Sequence, residues 1–405
     1  MNVLTISNLY PRPDRPQAGM FNAQLFRQVG EALAIRPGGG SVHNVCLVPE
    51  WRPWRWAAIR RWAAPAGDAV LTRYEPVPYV PLVGRNWSAS LYAWAMRAQL
   101  APMQSADAVL ASWLYPDGVA AARVGRIARR PVWVMVLGTD AVHLQNPARR
   151  DQILSAAAHT AGYICVSQPL ASQLAAAGLP QSRIHVVPNG VDTARFHYRE
   201  NAGAWDELHR LSPALGGLQG GATPDVRTIL FVGNLVPVKA PELLLDAVAT
   251  ARRQNPPVRL RVVLIGSGPL EASLRRQAQE AGIAADVVFV GSRPHAEVAL
   301  WMNVADILVL CSRREGMPNV ILEALASGLP VVATSVGDCP NMLRGEPAAR
   351  VVPPGQAAAL AAAIMDHTQK KPDRAALAAR HGSRSWRDQA HDIVTQIASG
   401  MGMSL

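Results

Sequence analysis

Short runs of Val, Ile and Leu alternate with helical patterns along nearly the whole chain, and this alternation restricts the possible folds more than any other feature. Val3 to Ile6, Val45 to Val48, Val109 to Ala111, Val132 to Leu137, Tyr163 to Val166 and His185 to Val187 read as buried strands. Strands separated by helices pair in parallel, in a sheet covered on both faces. After Asp192 the pattern lapses into a segment with Gly216, Gly217, Gly220, Gly221 and Pro224, the composition of a surface loop. A second series follows at Thr228 to Val232, Leu260 to Ile265, Val287 to Val290, Ile307 to Leu310, Val331 to Ala333 and Ala349 to Val352. Two such series predict two doubly wound α/β domains, over residues 1–200 and 226–384, joined by a linker at 201–225. A length of 405 residues suits two or three domains. Such sheets bind ligands at the carboxyl ends of their strands, so the expected site is a cleft between two facing domains.

The chain is 49% hydrophobic and 17% charged, which excludes global disorder. Its longest stretch without Asp, Glu, Lys or Arg, residues 152–182, is broken by His159, Gln168, Pro169, Gln173 and Pro180, so no membrane span is expected. The opening MNVLTISNLYPRP has no basic residue ahead of its short apolar run, so no secretory leader is expected and the cytoplasm is the default location. Cys46, Cys165, Cys311 and Cys339 lie far apart with no metal-ligand spacing, and read as reduced, buried thiols. Net charge is +11 and uneven: twenty Arg face eleven acids in residues 1–200, against twenty basic and eighteen acidic residues beyond. The first half therefore faces something anionic, or reflects a general preference for Arg in a chain with only three Lys.

The sharpest local chemistry lies in SRREGMPNVILEALASG, residues 312–328, directly after a strand. A turn at Gly316 and Pro318 with a helix from Asn319 puts Glu315 at the strand end and Glu323 just over one turn into the helix, within reach of one ligand. The free amides of Met317, Asn319 and Val320 and the positive helix end suit a phosphate or a sugar hydroxyl. An ionised Glu323 accepts from both hydroxyls of a ribose. In ILFVGNLVPVK the strand breaks at Gly233 and the helix resumes near Pro241, so Lys239 sits at a strand-to-helix turn where an ammonium neutralises a phosphate oxygen. IGSGPLE, residues 265–271, is a third, weaker glycine turn.

These segments, together with WLYPDG at 113–118, GTD at 138–140, VSQPL at 166–170, NGVDTARF at 189–196 and VGSRPHAEV at 290–298, resemble the retaining glycosyltransferases of family 4 in order and spacing. The resemblance implies the GT-B fold, two Rossmann-like domains facing a cleft, with a final helix at 385–405 packing back on the first domain. It implies that Lys239, Asn234 and Glu315 act on the donor diphosphate and sugar. Glu323 would hold the ribose; Gly291, Ser292 and Arg293 would lie against the base. Gly233 and the Gly316, Met317, Pro318, Asn319 and Val320 backbone would complete the donor site, approached by Gly19 from the first domain. Ser112, Asp140 and Asn189 would lie on the acceptor side. Many relatives carry Arg where this chain has Asn234, His or Arg where it has Leu137, and His where it has Ser112, so this chain does without those side chains or uses others.

The implied reaction is transfer of a hexose, with retention, from a nucleoside-diphosphate sugar to an acceptor hydroxyl, with neither metal nor further cofactor. Consistent with this, no Asp-x-Asp motif occurs. A two-carboxylate hydrolase fits poorly, because Glu315 and Glu323 share a phosphate-type helix start. The remaining alternative is a sugar-nucleotide-binding protein or epimerase of the same architecture. WRPWRWAAIRRW, residues 51–62, packs four Trp and four Arg into twelve positions. If a helix starts after Pro53, Trp54, Ala58 and Trp62 share a stripe flanked by Arg55 and Arg61, which reads as an element lying on an anionic membrane or as a partly buried connecting helix. The membrane reading implies a protein on the inner face of the cell membrane, extending a polyprenyl-diphosphate-linked saccharide or other sugar acceptor. No module for nucleic acid is present, and none is expected as a partner.

Overall fold

In the computed structural model, residues 1–16, 18–64, 70–79, 86–211, 226–254, 259–368, 370 and 372–403 are described. The chain divides into two compact units. Met1–Gly190 and Trp386–Leu405 form unit 1, and Val191–Ser385 forms unit 2.

Unit 1 holds seven strands: β1 (Val3–Ser7), β2 (Val42–Glu50), β3 (Leu71–Pro78), β4 (Ala108–Ala111), β5 (Val132–Val136), β6 (Gly162–Cys165) and β7 (Ile184–Val186), ordered β3-β2-β1-β4-β5-β6-β7. Every pairing is parallel. Strand β3, LTRYEPVP, is the one that the hydrophobic pattern does not predict, since it carries Glu75 and two prolines. Its place at the sheet edge explains why they are tolerated, because an edge strand leaves one row of amides outside the ladder. The helix Trp386–Gly400 belongs to this unit, burying Ala390, Ile393, Val394 and Ile397 in one cluster with Leu25, Phe26 and Val29 of the helix Met20–Ala34. Each fully buried Ile or Leu there is worth about 1.5 to 3 kcal/mol.

Unit 2 holds β8 (Val226–Val232), β9 (Arg259–Ile265), β10 (Val287–Gly291), β11 (Ile307–Leu310), β12 (Val331–Thr334) and β13 (Ala349–Val352), ordered β10-β9-β8-β11-β12-β13, again all parallel. In both sheets the strand order reverses at the centre, between β1 and β4 and between β8 and β11. A doubly wound sheet offers a crevice at that reversal, because successive helices leave it on opposite faces.

Two expected boundaries move. The break between units falls at Gly190 rather than 200, because Val191 bridges to Ser385 and Phe196 is buried in the core of unit 2. The expected linker begins as a helix, Asn201–Leu211, whose Ala204, Trp205 and Leu208 are buried; Trp205 meets Trp301 edge-on at 5.9 Å. Helical spacing of those three residues outweighs the Gly-rich context, which starts only at Gly216. Residues 212–225 of that expected linker lie outside the described residues. Among the described residues no helix is long and apolar enough to cross a membrane, and all four cysteines are buried and free.

Candidate active site

The central reversal of unit 2 gathers the residues that the sequence singles out there. Beyond β8 the chain runs through Gly233 and Asn234 to Lys239; beyond β11 it runs through Ser312 to Glu315 and into the helix Asn319–Ala326. Lys239 Nζ donates to Glu315 Oε1 at 2.6 Å, and Ser312 Oγ donates to the same oxygen at 2.5 Å. The lysine side chain is 28% exposed and the carboxylate 9%, so the ammonium is held at the mouth of the reversal with its charge open to solvent. Residues 76 apart in sequence thus meet at one point, which spacing alone does not reveal.

The backbone around the pair is fixed from several sides. Ala240, next to Lys239, takes a left-handed φ of 49°, a conformation that a non-glycine residue adopts only where its surroundings enforce it. The buried Cys311 thiol lies against the Lys239 and Ala240 carbonyls, and the Arg313 amide donates to Val238 O at 2.8 Å. The loop after β12 closes on the other flank. Asp338 N donates to Gly316 O at 2.8 Å, and Gly337 stands at φ 56° so close that an added Cβ would meet Gly316 O at 2.5 Å and Glu315 O at 2.6 Å. Only glycine satisfies both conditions.

The helix after this turn starts at Pro318 with no side-chain cap, and among the described residues the amides of Met317 and Val320 have no acceptor. Together with the dipole, these donors create a positive opening toward an anion. Glu323, one turn on, is partly buried, and among the described residues its carboxylate makes no hydrogen bond or ion pair. Burial pushes its pKa up to about 7, reinforced by the negative charge of Asp192 and opposed by Arg195. Asn234 is exposed. The glycine loops after β9 and β10 knit onto its neighbours: Leu235 N donates to Ser267 O, Gly266 N to Gly291 O, and Ser267 Oγ lies 3.0 Å from Ser292 Oγ. A Cβ on Gly266 or Gly268 would strike the backbone of Gly233 or Leu235. Arg293 is held by Glu297 at 3.3 Å. Ser312, Gly337 and the Asp192–Arg195 pair go unnoticed in the sequence; the Ser that follows a buried strand and the Gly after β12 are the signals that point to the first two.

The corresponding reversal in unit 1 has another character. Ser7, Asn22, Ser112, Asp117 and Asp140 are all buried at the ends of β1, β4 and β5. Asn22 Nδ2 donates to Ser7 Oγ, Leu9 O and Ser112 Oγ, while Asp140 Oδ2 accepts from Leu137 N at 2.7 Å. Among the described residues, the remaining side-chain oxygens of Asn22 and Asp117 make no hydrogen bond. Burial pushes the pKa of Asp140 up to about 8 and that of Asp117 well above the carboxylate range, the latter reinforced by Asp140. His143 is held neutral, its pKa lowered to about 4 by burial and by Arg149, whose guanidinium donates to Nδ1 at 3.1 Å. Asn189 accepts from Gln389 at 2.9 Å, where the chain leaves this unit. Gly19 has φ 68° and sits so tightly on Leu9 and Tyr10 that no Cβ fits.

Residues 226–369 match the model of the glycosyl transferases group 1, and residues 37–195 match that of glycosyltransferase family 4. Together the two models span most of the chain, and the chain belongs to this family of glycosyltransferases. A D-inositol 3-phosphate glycosyltransferase of Segniliparus rotundus is 36% identical over 39% of this chain and 33% of its own length. A D-inositol 3-phosphate glycosyltransferase 2 of Catenulispora acidiphila is 31% identical over 62% of this chain and 58% of its own. The chain thus spans between a third and three fifths of the length of these two relatives. Among solved structures, Anabaena Alr3699/HepE in complex with UDP superposes with a TM-score of 0.67 at 18% identity, covering 99% of this chain and 100% of that one. The lipopolysaccharide outer core galactosyltransferase WaaB gives 0.71 at 13%, covering 98% and 99%. At such identities the agreement is one of fold, and it is the GT-B fold.

Proposed function

We propose that the chain transfers a hexosyl group, with retention, from a nucleoside-diphosphate sugar to a hydroxyl of a saccharide acceptor carried on a lipid, as a step of polysaccharide biosynthesis at the inner face of the cell membrane. The observation that carries the reading is the meeting of Lys239 with Glu315 at the strand reversal of unit 2, beside an uncapped helix start. When the C1–oxygen bond of the donor breaks, its electron pair passes to the diphosphate and negative charge grows there. Lys239 leaves Glu315 for that charge, and the Met317 and Val320 amides, already aimed, need no reorganisation. Glu315, released, is free to accept from sugar hydroxyls, while Ser312 keeps it in place. Asn234 adds a neutral donor, and the Glu323 carboxylate accepts from the ribose. The Gly291, Ser292 and Arg293 turn and Gly233 border the base and phosphate, and the acceptor is assigned to unit 1. Charge neutralisation is assigned to protein groups, without a metal.

The names of the relatives favour a second acceptor, the hydroxyl of a phosphorylated polyol, since those proteins are D-inositol 3-phosphate glycosyltransferases. UDP in the HepE structure supports a uridine donor. A melting-temperature screen of nucleoside diphosphates, followed by donor turnover with saccharide and polyol-phosphate acceptors, tests the whole reading. Expected are a shift with one nucleoside diphosphate and turnover of its sugar; a shift without turnover would leave a binding protein instead.

A further inference from the structure

Unit 1 turns an apolar face toward solvent. The helix Ser88–Met96 buries Ala89, Tyr92, Ala95 and Met96, which leaves the stripe Trp87, Leu91 and Trp94, spaced i, i+4, i+7, on its outer side; Trp87 is 70% and Trp94 53% exposed. Trp94 lies 6.3 Å from Trp56, which joins this helix to the segment where a short 3-10 turn, Pro53–Arg55, runs into the helix Trp56–Arg60. There Trp54 is 73% and Trp51 59% exposed, their rings edge-on at 5.9 Å. Trp62, expected on the same stripe as Trp54, turns inward onto Tyr74, and Ile59 is buried beside it. The outward surface therefore bears four exposed indoles: Trp94 on the helix, Trp87 at its N-cap, Trp54 in the 3-10 turn and Trp51 just before it. Apolar surface concentrated in this way marks an interaction site.

Its charge selects the partner. Residues 51–139 hold eleven Arg and four acids. Of those acids Glu75 and Asp117 are buried, and Asp107 accepts from the Asn2 amide. Arg52 and Arg55 pair with Glu50, whereas Arg61 and Arg97 are exposed and make no ion pair among the described residues. Arg97 follows Trp94 by three positions, so it flanks the same stripe. Indoles at a polar boundary ringed by arginines match the headgroup region of a bilayer with negative surface charge: the rings enter the interface and each arginine gains attraction to lipid phosphate. A nucleic-acid groove would instead call for bases stacked on rings within a continuous basic track.

We propose that the face formed by Trp51, Trp54, Trp87, Trp94, Arg61 and Arg97 docks unit 1 onto an anionic phospholipid bilayer. This deepens the membrane part of the function proposed above, on which it rests, by naming the surface and its lipid. The test floats the full chain with vesicles of equal parts phosphatidylglycerol and phosphatidylcholine, and with phosphatidylcholine alone. Expected is binding to the mixed vesicles that weakens with salt and is at least tenfold weaker on phosphatidylcholine alone. The triple variant Trp54→Ser, Trp87→Ser, Trp94→Ser should lose at least about tenfold in binding, and Arg61→Gln with Arg97→Gln about twentyfold to thirtyfold, near fivefold for each charge. Unchanged flotation of either variant, or equal binding to both vesicles, overturns the proposal. So does a concentration-dependent dimer abolished by the Trp changes, or binding to duplex DNA that the Trp changes abolish while flotation persists. Donor turnover and the nucleotide melting shift in the same samples report unit 2, so failure to float leaves the transferase reading to be judged separately.

Discussion

Two sheets with the same central strand order put their polar residues to opposite use. At the reversal of unit 2 a lysine and a carboxylate meet at a half-open mouth, and Glu323 beside them is only partly buried. At the reversal of unit 1 the carboxyls of Asp117 and Asp140 are fully buried. Paired charges near water cost little and exchange readily for a charged ligand. Buried carboxyls are expensive when ionised, so burial raises their pKa and suits them to fixing local structure. Topology places polar groups at a strand reversal; burial separates a pair open to solvent from a cluster that is enclosed.

The sharpest blow to this contrast is Lys239→Ala, expected to lower transfer about a hundredfold to a thousandfold in steady-state kinetics and to shrink the nucleoside-diphosphate melting shift. Near-normal turnover would mean that unit 2 does not use its open pair on an anion. Next in size is Gly337→Ala, which forces a Cβ against the Glu315 and Gly316 carbonyls; a loss of about 2 to 3 kcal/mol is expected in denaturant unfolding. Gly345→Ala has a similarly positive φ but open space around it, and about 1 kcal/mol is expected there.

Asp140 tests the other half. Its raised pKa means that the folded state holds a proton which the unfolded chain has released, so its contribution is complete below about pH 4 and is lost as pH rises through about 8. Asp140→Asn should remove on the order of 2 kcal/mol of the alkaline loss of stability, read from melting at pH 6 and pH 9. It should leave the nucleotide-induced shift untouched; a changed shift would break the division of labour between the units. The smallest effect concerns Glu323. In the proposed donor site its ionised form accepts from ribose hydroxyls, so nucleotide affinity should climb as pH rises through about 7, by at most about tenfold per unit, and Glu323→Gln should flatten that slope in calorimetric titrations.

Most strands that sequence reveals are buried on both faces, because continuous runs such as VVLI and ILVL leave few other readings; the half-exposed β7 is found by its short apolar run alone. Strand β3 escapes because an edge accepts proline and charge, and the Asn201–Leu211 helix escapes because glycines just beyond it dominate the local composition. At the candidate site, Lys239, Glu315 and Glu323 stand out through residue type and spacing, whereas Ser312 and Gly337 matter through contacts across the sheet that linear spacing does not carry. The Trp87, Leu91, Trp94 stripe shows a different limit. Periodicity reports that a helix has two faces, not which one is buried, and here the small residues and Tyr92 face inward while the indoles face out.

The helix Trp386–Gly400 has a consequence for how the molecule is made. Its Ile393, Val394 and Ile397 complete a core begun by Leu25 and Phe26, yet the ribosome adds them only after all of unit 2. The body that starts first must therefore wait, with one apolar wall open, while a complete second body emerges and folds. A chain stalled or clipped near residue 385 would leave an intact unit 2 tethered to an unfinished unit 1, a form exposed to chaperones and proteases.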